Sequence, residues 1–129
     1  MTTPPQSAAP ATIEGACHCG AVRFTLRGRP EHLTRCNCSL CRRVRGLWAH
    51  APVQDVTLSY DPDAVIRYVQ GDRTLALISC RTCGGTTHWE GLDPTLDRVG
   101  VNCSMAEPAA IAGLRVRSFD GAETWTYLD

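Results

Sequence analysis

The sequence predicts an all-β fold built of short β-ribbons and hairpins with little helix, and three observations predict it. Short runs with apolar side chains at alternate positions recur along the chain. Turn-forming groups separate them: Asp61-Pro62-Asp63, Gln70-Gly71-Asp72, Gly84-Gly85, Gly91 and Asp120-Gly121. Helical spacing occurs at two places, each too short to be stable alone.

Residues 1–12, rich in Pro, Ala, Ser and Thr without periodicity, fit a disordered N-terminal tail, and residues 13–129 a single domain. The first strand expected is Ala21 to Arg27, with Val22, Phe24 and Leu26 on one face and Arg23, Thr25 and Arg27 on the other. Gly28 to Pro30 then turns the chain. Strands follow at Leu33 to Cys36, Leu47 to Val53, Val56 to Tyr60, Val65 to Val69 and Leu75 to Cys80. The later ones are Thr86 to Glu90, Arg98 to Asn102, Leu114 to Phe119 and Thr124 to Leu128. The two helical segments are Ser39 to Arg45, with Ser39 as its cap, and Ala106 to Ala112, interrupted by Pro108.

A chain of 129 residues is one domain in size and buries only about two-thirds of its unfolded surface. Aromatic residues are 6% of it, so packing anchors are scarce and the fold needs reinforcement. All 13 basic residues are Arg, which excludes Lys-based chemistry such as Schiff bases and P-loops. They balance 13 acids, and zero net charge argues against nucleic acid as a partner. The N-terminus has no basic and apolar signal pattern, and no apolar run approaches the ~20 residues of a membrane span. A cytoplasmic protein without membrane partner is expected. In that reducing compartment its eight cysteines are thiols or metal thiolates rather than disulfides.

Seven of the cysteines fall into three clusters: Cys17-His18-Cys19-Gly20, Cys36-Asn37-Cys38-Ser39-Leu40-Cys41 and Cys80-Arg81-Thr82-Cys83-Gly84-Gly85. The third has the form of a zinc knuckle, whose glycines let backbone amides turn toward thiolate sulfurs. Paired with the first, it makes a four-cysteine structural site that staples distant parts of the sheet. The CxCxxC cluster supplies three thiolates, the number that a catalytic zinc keeps while leaving one position open. Two other arrangements compete: Cys103, His18, His50 or His88 closes the second site, or all the thiols share one multinuclear cluster.

These segments, with Arg42 after Cys41 and with Val101-Asn102-Cys103, resemble the glutathione-dependent formaldehyde-activating enzyme family, which also includes centromere protein V, over roughly residues 13 to 128. The resemblance implies a β-tent-like arrangement of β-ribbons and two zinc ions per chain. It implies that Cys17, Cys19, Cys80 and Cys83 bind a structural zinc and that Cys36, Cys38 and Cys41 hold a catalytic one. It implies no ligand role for Cys103, a free thiol or packing residue. The activity implied is that of a carbon–sulfur lyase forming or cleaving S-hydroxymethylglutathione, or a related thiol–aldehyde adduct.

Glutathione carries two carboxylates, and Arg35, Arg42, Arg43 and Arg45 around the CxCxxC cluster suit their bidentate recognition. Asn102 is a candidate substrate or loop anchor. His88, as proton shuttle or satisfied strand histidine, and Trp89, as apolar wall, follow the third cluster. Strand alternation allows one of each neighbouring pair in Leu47-Trp48-Ala49-His50 to face the site, with Trp48 assigned to the core. A non-catalytic zinc module binding glutathione or a protein partner is the alternative function, and a closed two-zinc scaffold a third.

Overall fold

The computed structural model describes residues 12–129, so the N-terminal tail lies outside the described residues except for Thr12, which opens the first strand. Among the described residues ten strands form two sheets. The smaller is ordered β1-β2-β5, from β1 (Thr12–Ala16), β2 (Arg23–Arg27) and β5 (Val56–Ser59). The larger has seven strands in the order β10-β3-β4-β9-β8-β7-β6. Its members are β3 (His32–Cys36), β4 (Trp48–Pro52), β6 (Val65–Val69), β7 (Leu75–Cys80), β8 (Thr86–Gly91), β9 (Arg98–Asn102) and β10 (Arg115–Phe119). All pairs are antiparallel except β10 with β3. The helix α1 (Ser39–Val44) lies between β3 and β4, and short 3₁₀ turns fill other connections.

Four features differ from expectation, the first two for a local reason. Strand β1 carries a weak apolar signal because its inward positions are Ile13 and Gly15; the Phe24 ring of β2 covers Gly15. The strand expected at Thr124 to Leu128 is a turn with one bridge, Phe119 to Tyr127. There the Asp120 carboxylate captures the amides of Glu123 and Thr124 and the Thr124 hydroxyl, so the chain turns at those residues, and only Thr126 and Leu128 bond back to the end of β10, the Asp120 amide donating to the Thr126 carbonyl and the Leu128 amide to the Ser118 carbonyl, each at 2.8 Å. Ala106 to Ala112 holds only the 3₁₀ turn Pro108–Ile111, and the cap of α1 is Cys38, one residue before the expected Ser39.

Two cores hold the sheets. The larger joins Ile13, Phe24 and Leu26 to Leu33, Ala49, Val101 and Cys103 across the two sheets. Cys103 is fully buried there, and burial pushes its thiol up to about 11, so it acts as a packing residue. The smaller core contains Val22, Val65, Ala76 and Ile78 together with Cys17 and Cys80. Tyr60 and Val69 pack against it.

Candidate functional site

The Cys17–Cys19 turn and the β7–β8 turn meet as the sequence pairing requires. The Sγ atoms of Cys17, Cys19, Cys80 and Cys83 lie within 4.8 Å of one another. Backbone amides of Thr82 and Cys83 point at Cys80 Sγ at 3.3 and 3.5 Å, and the Val22 amide reaches Cys17 Sγ at 3.3 Å. Gly84 has φ +81°, where a side chain would be strained, and this lets the knuckle close with the Cys80 amide donating to the Gly85 carbonyl. Amides of Cys19 and Gly85 bring the Cys83 thiol down to about 6, and the Cys83 amide lowers Cys80. Cys19 goes the other way: the Ala21 amide lowers it, but the Cys80 side chain and burial outweigh that and raise it to about 11.

Cys36 closes β3, Cys38 caps α1 and Cys41 lies in the first turn of the helix, so a strand end and a helix start bring the three thiols together. Their Sγ atoms also lie within 4.8 Å, and among the described residues no fourth His, Cys, Asp or Glu joins the set. The cap is made by sulfur: the Cys41 amide donates to Cys38 Sγ at 3.3 Å, and the Cys38 amide to Cys36 Sγ at 3.4 Å. Burial raises Cys36 and, more strongly, Cys41, whereas at Cys38 the amide and thiol donors overcome burial and lower it. The Cys36 side is roofed by Gly121, where a Cβ would stand 2.5 Å from Cys36 Sγ. The local sequence marks Asp120-Gly121 as a turn but not as a neighbour of the thiols, because Cys36 is brought in from the other end of the chain. Asn37 holds that turn in place by donating to Asp120 Oδ1 at 3.1 Å and accepting from the Ala122 amide at 3.0 Å.

Two cavities meet at this cluster. One, of about 540 Å³, borders Cys36 and Cys41 and is lined by Arg35, Arg42 and Arg45. The other, of about 560 Å³, borders all three cysteines and is lined by aromatic residues. Arg43 lines neither; it donates to the Ser39 carbonyl at 2.7 Å. Asn102 is buried and lines neither, its amide donating to Thr86 O and accepting from the Leu47 and Ser104 amides. His88 is fully buried between Thr87 Oγ1 at 2.8 Å and Glu90 Oε2 at 2.7 Å, as a satisfied strand histidine, while Trp89 on the opposite face lines the aromatic cavity. Trp48 is buried as expected, yet it also lines that cavity with His50, because residues two apart share a strand face. Cross-strand register places Leu77, Trp89, Gly100 and His50 in one row on this face. His50 keeps a solvent-facing edge, but desolvation by the surrounding walls, aided by the charge of Arg98, holds it below its ordinary 6.5.

Comparison with known proteins adds to this geometry. A crystal structure of a Rhodobacter sphaeroides protein superposes with a TM-score of 0.65 at 30% identity, covering 81% of this chain and 99% of that one. A curated Halomonas elongata protein that bears a glutathione-dependent formaldehyde-activating enzyme name is 42% identical over 55 residues, 42% of this chain and 32% of the relative. The chain thus spans about a third of the length of that curated relative. No helix among the described residues is long and apolar enough to cross a membrane. The sequence model of the glutathione-dependent formaldehyde-activating enzyme family matches residues 12–115, which include both cysteine clusters, and by that match the chain belongs to this family.

Proposed function

We propose that the protein is a zinc-dependent carbon–sulfur lyase that forms or cleaves S-hydroxymethylglutathione or a related thiol–aldehyde adduct, working in the cytoplasm as one domain of residues 13–129. The observation that carries this reading is the three-cysteine set without a fourth ligand among the described residues, placed between an arginine-lined and an aromatic cavity. Both clusters fit zinc: their sulfurs converge, backbone amides face them, and Gly121 leaves Cys36 Sγ the room a side chain would fill. Cys17, Cys19, Cys80 and Cys83 would hold a structural ion, and Cys36, Cys38 and Cys41 a catalytic one. Zinc at the second set would supply Lewis-acid activation of an incoming thiol near neutral pH.

The chain's own groups do the rest. Arg35, Arg42 and Arg45 bind the glutathione carboxylates, fixing the thiol beside Cys36 and Cys41. Arg43, engaged with the helix backbone, shapes α1 instead. In the forward direction the glutathione sulfur adds to the aldehyde carbon, and the carbonyl π electrons move to oxygen, which takes the proton the thiol gave up. His50, which lines the aromatic cavity and whose imidazole is shifted below its ordinary 6.5, would carry that proton. The reverse sequence cleaves the carbon–sulfur bond, and no redox cofactor is needed.

The test is NMR exchange spectroscopy of glutathione with formaldehyde, with and without zinc-loaded protein. Faster exchange that Cys38→Ser abolishes supports the lyase. No acceleration at any protein concentration overturns it and leaves the alternative, a non-catalytic module that binds glutathione or a protein partner.

A further inference from the structure

Formaldehyde has one carbon, whereas the cavity on the aromatic side of the cluster encloses about 560 Å³, within the range of roughly 300–1,000 Å³ typical of sites for much larger molecules. All three tryptophans of the chain, Trp48, Trp89 and Trp125, line it, together with Tyr127 and Leu77, and no arginine does. Charged carboxylates are therefore served on the other side of the cysteines, and this side suits a neutral, apolar group. Trp89 forms a fixed wall, its indole lying over Gly100 on the neighbouring strand.

Trp125 is the most telling residue. It is 74% exposed and has φ +58°, a conformation unfavourable for any residue but glycine. The turn that holds it is over-determined: Asp120 accepts from Asn37, Glu123 and Thr124, and Asp120 and Trp125 are tied again through the backbone. A strained backbone that presents a large indole to solvent at a cavity edge is the arrangement expected of a ligand wall. This turn lies beyond residues 12–115, the part matched by the family.

Resting on the lyase reading above, we propose that the aromatic cavity binds the carbonyl half of the substrate and that this half is an aryl-substituted aldehyde. The thiol S–H then adds across the aryl C=O: a carbon–sulfur bond forms, the π pair passes to oxygen, and oxygen takes the proton. No oxidant or reductant enters.

The experiment is titration of the purified full chain with S-benzylglutathione and with S-methylglutathione, followed by tryptophan fluorescence, since every tryptophan lines the cavity. The benzyl compound should bind at least about tenfold more tightly and quench or shift the emission. Trp125→Ser should bring the ratio down to about threefold or less while Trp125→Leu keeps most of it, with circular dichroism verifying that both fold. Equal affinities for the two compounds, or a ratio untouched by Trp125→Ser, overturns the aryl site. Benzyl mercaptan against ethanethiol repeats the comparison without glutathione. A benzyl preference there, with no binding of either glutathione derivative, overturns glutathione as the thiol and keeps the aryl site; no preference in either pair overturns the aryl site itself.

Discussion

Gly121 shows how far one atom can matter to a thiol cluster. A Cβ there would meet Cys36 Sγ at 2.5 Å and Cys38 Cβ at 3.2 Å, and the turn that carries it is fastened to Asn37 and cannot retreat freely. If both proposed zinc sites are filled in the wild type, Gly121→Ala should leave the fold intact but reduce zinc from two ions per chain toward one, measured by metal analysis with circular dichroism alongside. Two ions retained would mean that the turn yields. Asn102 makes the opposite case. It satisfies three backbone groups at the junction of β9 with its neighbours, so Asn102→Ala should cost about 2–4 kcal/mol and lower the melting temperature by several degrees. On the proposed function, glutathione affinity of the folded variant should stay near wild type; a selective loss of affinity without loss of stability would assign Asn102 a substrate role.

At the level of elements, the two sheets are clamped by a polar network. Tyr60, following β5 of the smaller sheet, donates to Glu90 of β8, which also accepts from His88 at 2.7 Å and from Arg67 of β6 at 3.2 Å. Burial alone would raise the Glu90 carboxyl, but donors from His88 and Tyr60 and the Arg67 charge bring it down to about 2 from its ordinary 4.5. A depressed carboxyl stabilises the fold above its unfolded value, so this contribution is complete above pH 4.5 and is lost as pH falls toward 2. Its size is on the order of 2 kcal/mol after solvent screening. Urea midpoints of wild type and Glu90→Gln should converge over that interval; a gap independent of pH would place the stabilisation elsewhere. The subtraction also removes any effect of acid on the thiol clusters, which both proteins share.

For the molecule as a whole, the division into two cores explains why two clusters of the same residue type should respond differently. Cys17 and Cys80 are members of the smaller core, whereas Cys36, Cys38 and Cys41 are half-buried at the surface of the cavities. On the proposed two-zinc reading, metal at the first set would be tied to folding, because its ligands come from turns 61 residues apart. On the proposed function, Cys83→Ser should give unfolded or insoluble protein, while Cys38→Ser should fold but bind one zinc fewer and show no exchange activity. Equal damage to circular dichroism and zinc content from both would make the second site structural as well. A strong chelator should likewise act in two stages, removing the zinc of the second set without unfolding and that of the first only with it.

What the sequence determined by itself was whatever depends on near neighbours in the chain. Short strand-like runs, most of them bounded by turn residues, located Val65–Val69, Leu75–Cys80 and Arg98–Asn102 to the residue, since strand propensity and turn chemistry are local. The CxxC and CxCxxC spacings marked both clusters, because a turn that converges two thiols is a matter of a few residues. Strand β1 escaped because its inward signal is a glycine covered by Phe24, and the C-terminal turn because one carboxylate, Asp120, competes with strand pairing for the same amides. Only the tertiary structure decided what surrounds the second cluster. Gly121 reaches Cys36 by parallel pairing of β10 with β3, across more than eighty residues of chain, and Trp48, Trp89 and Trp125 meet through sheet order and a strained turn. Contacts of that separation are set by which strands lie side by side, and no local pattern of residues records it.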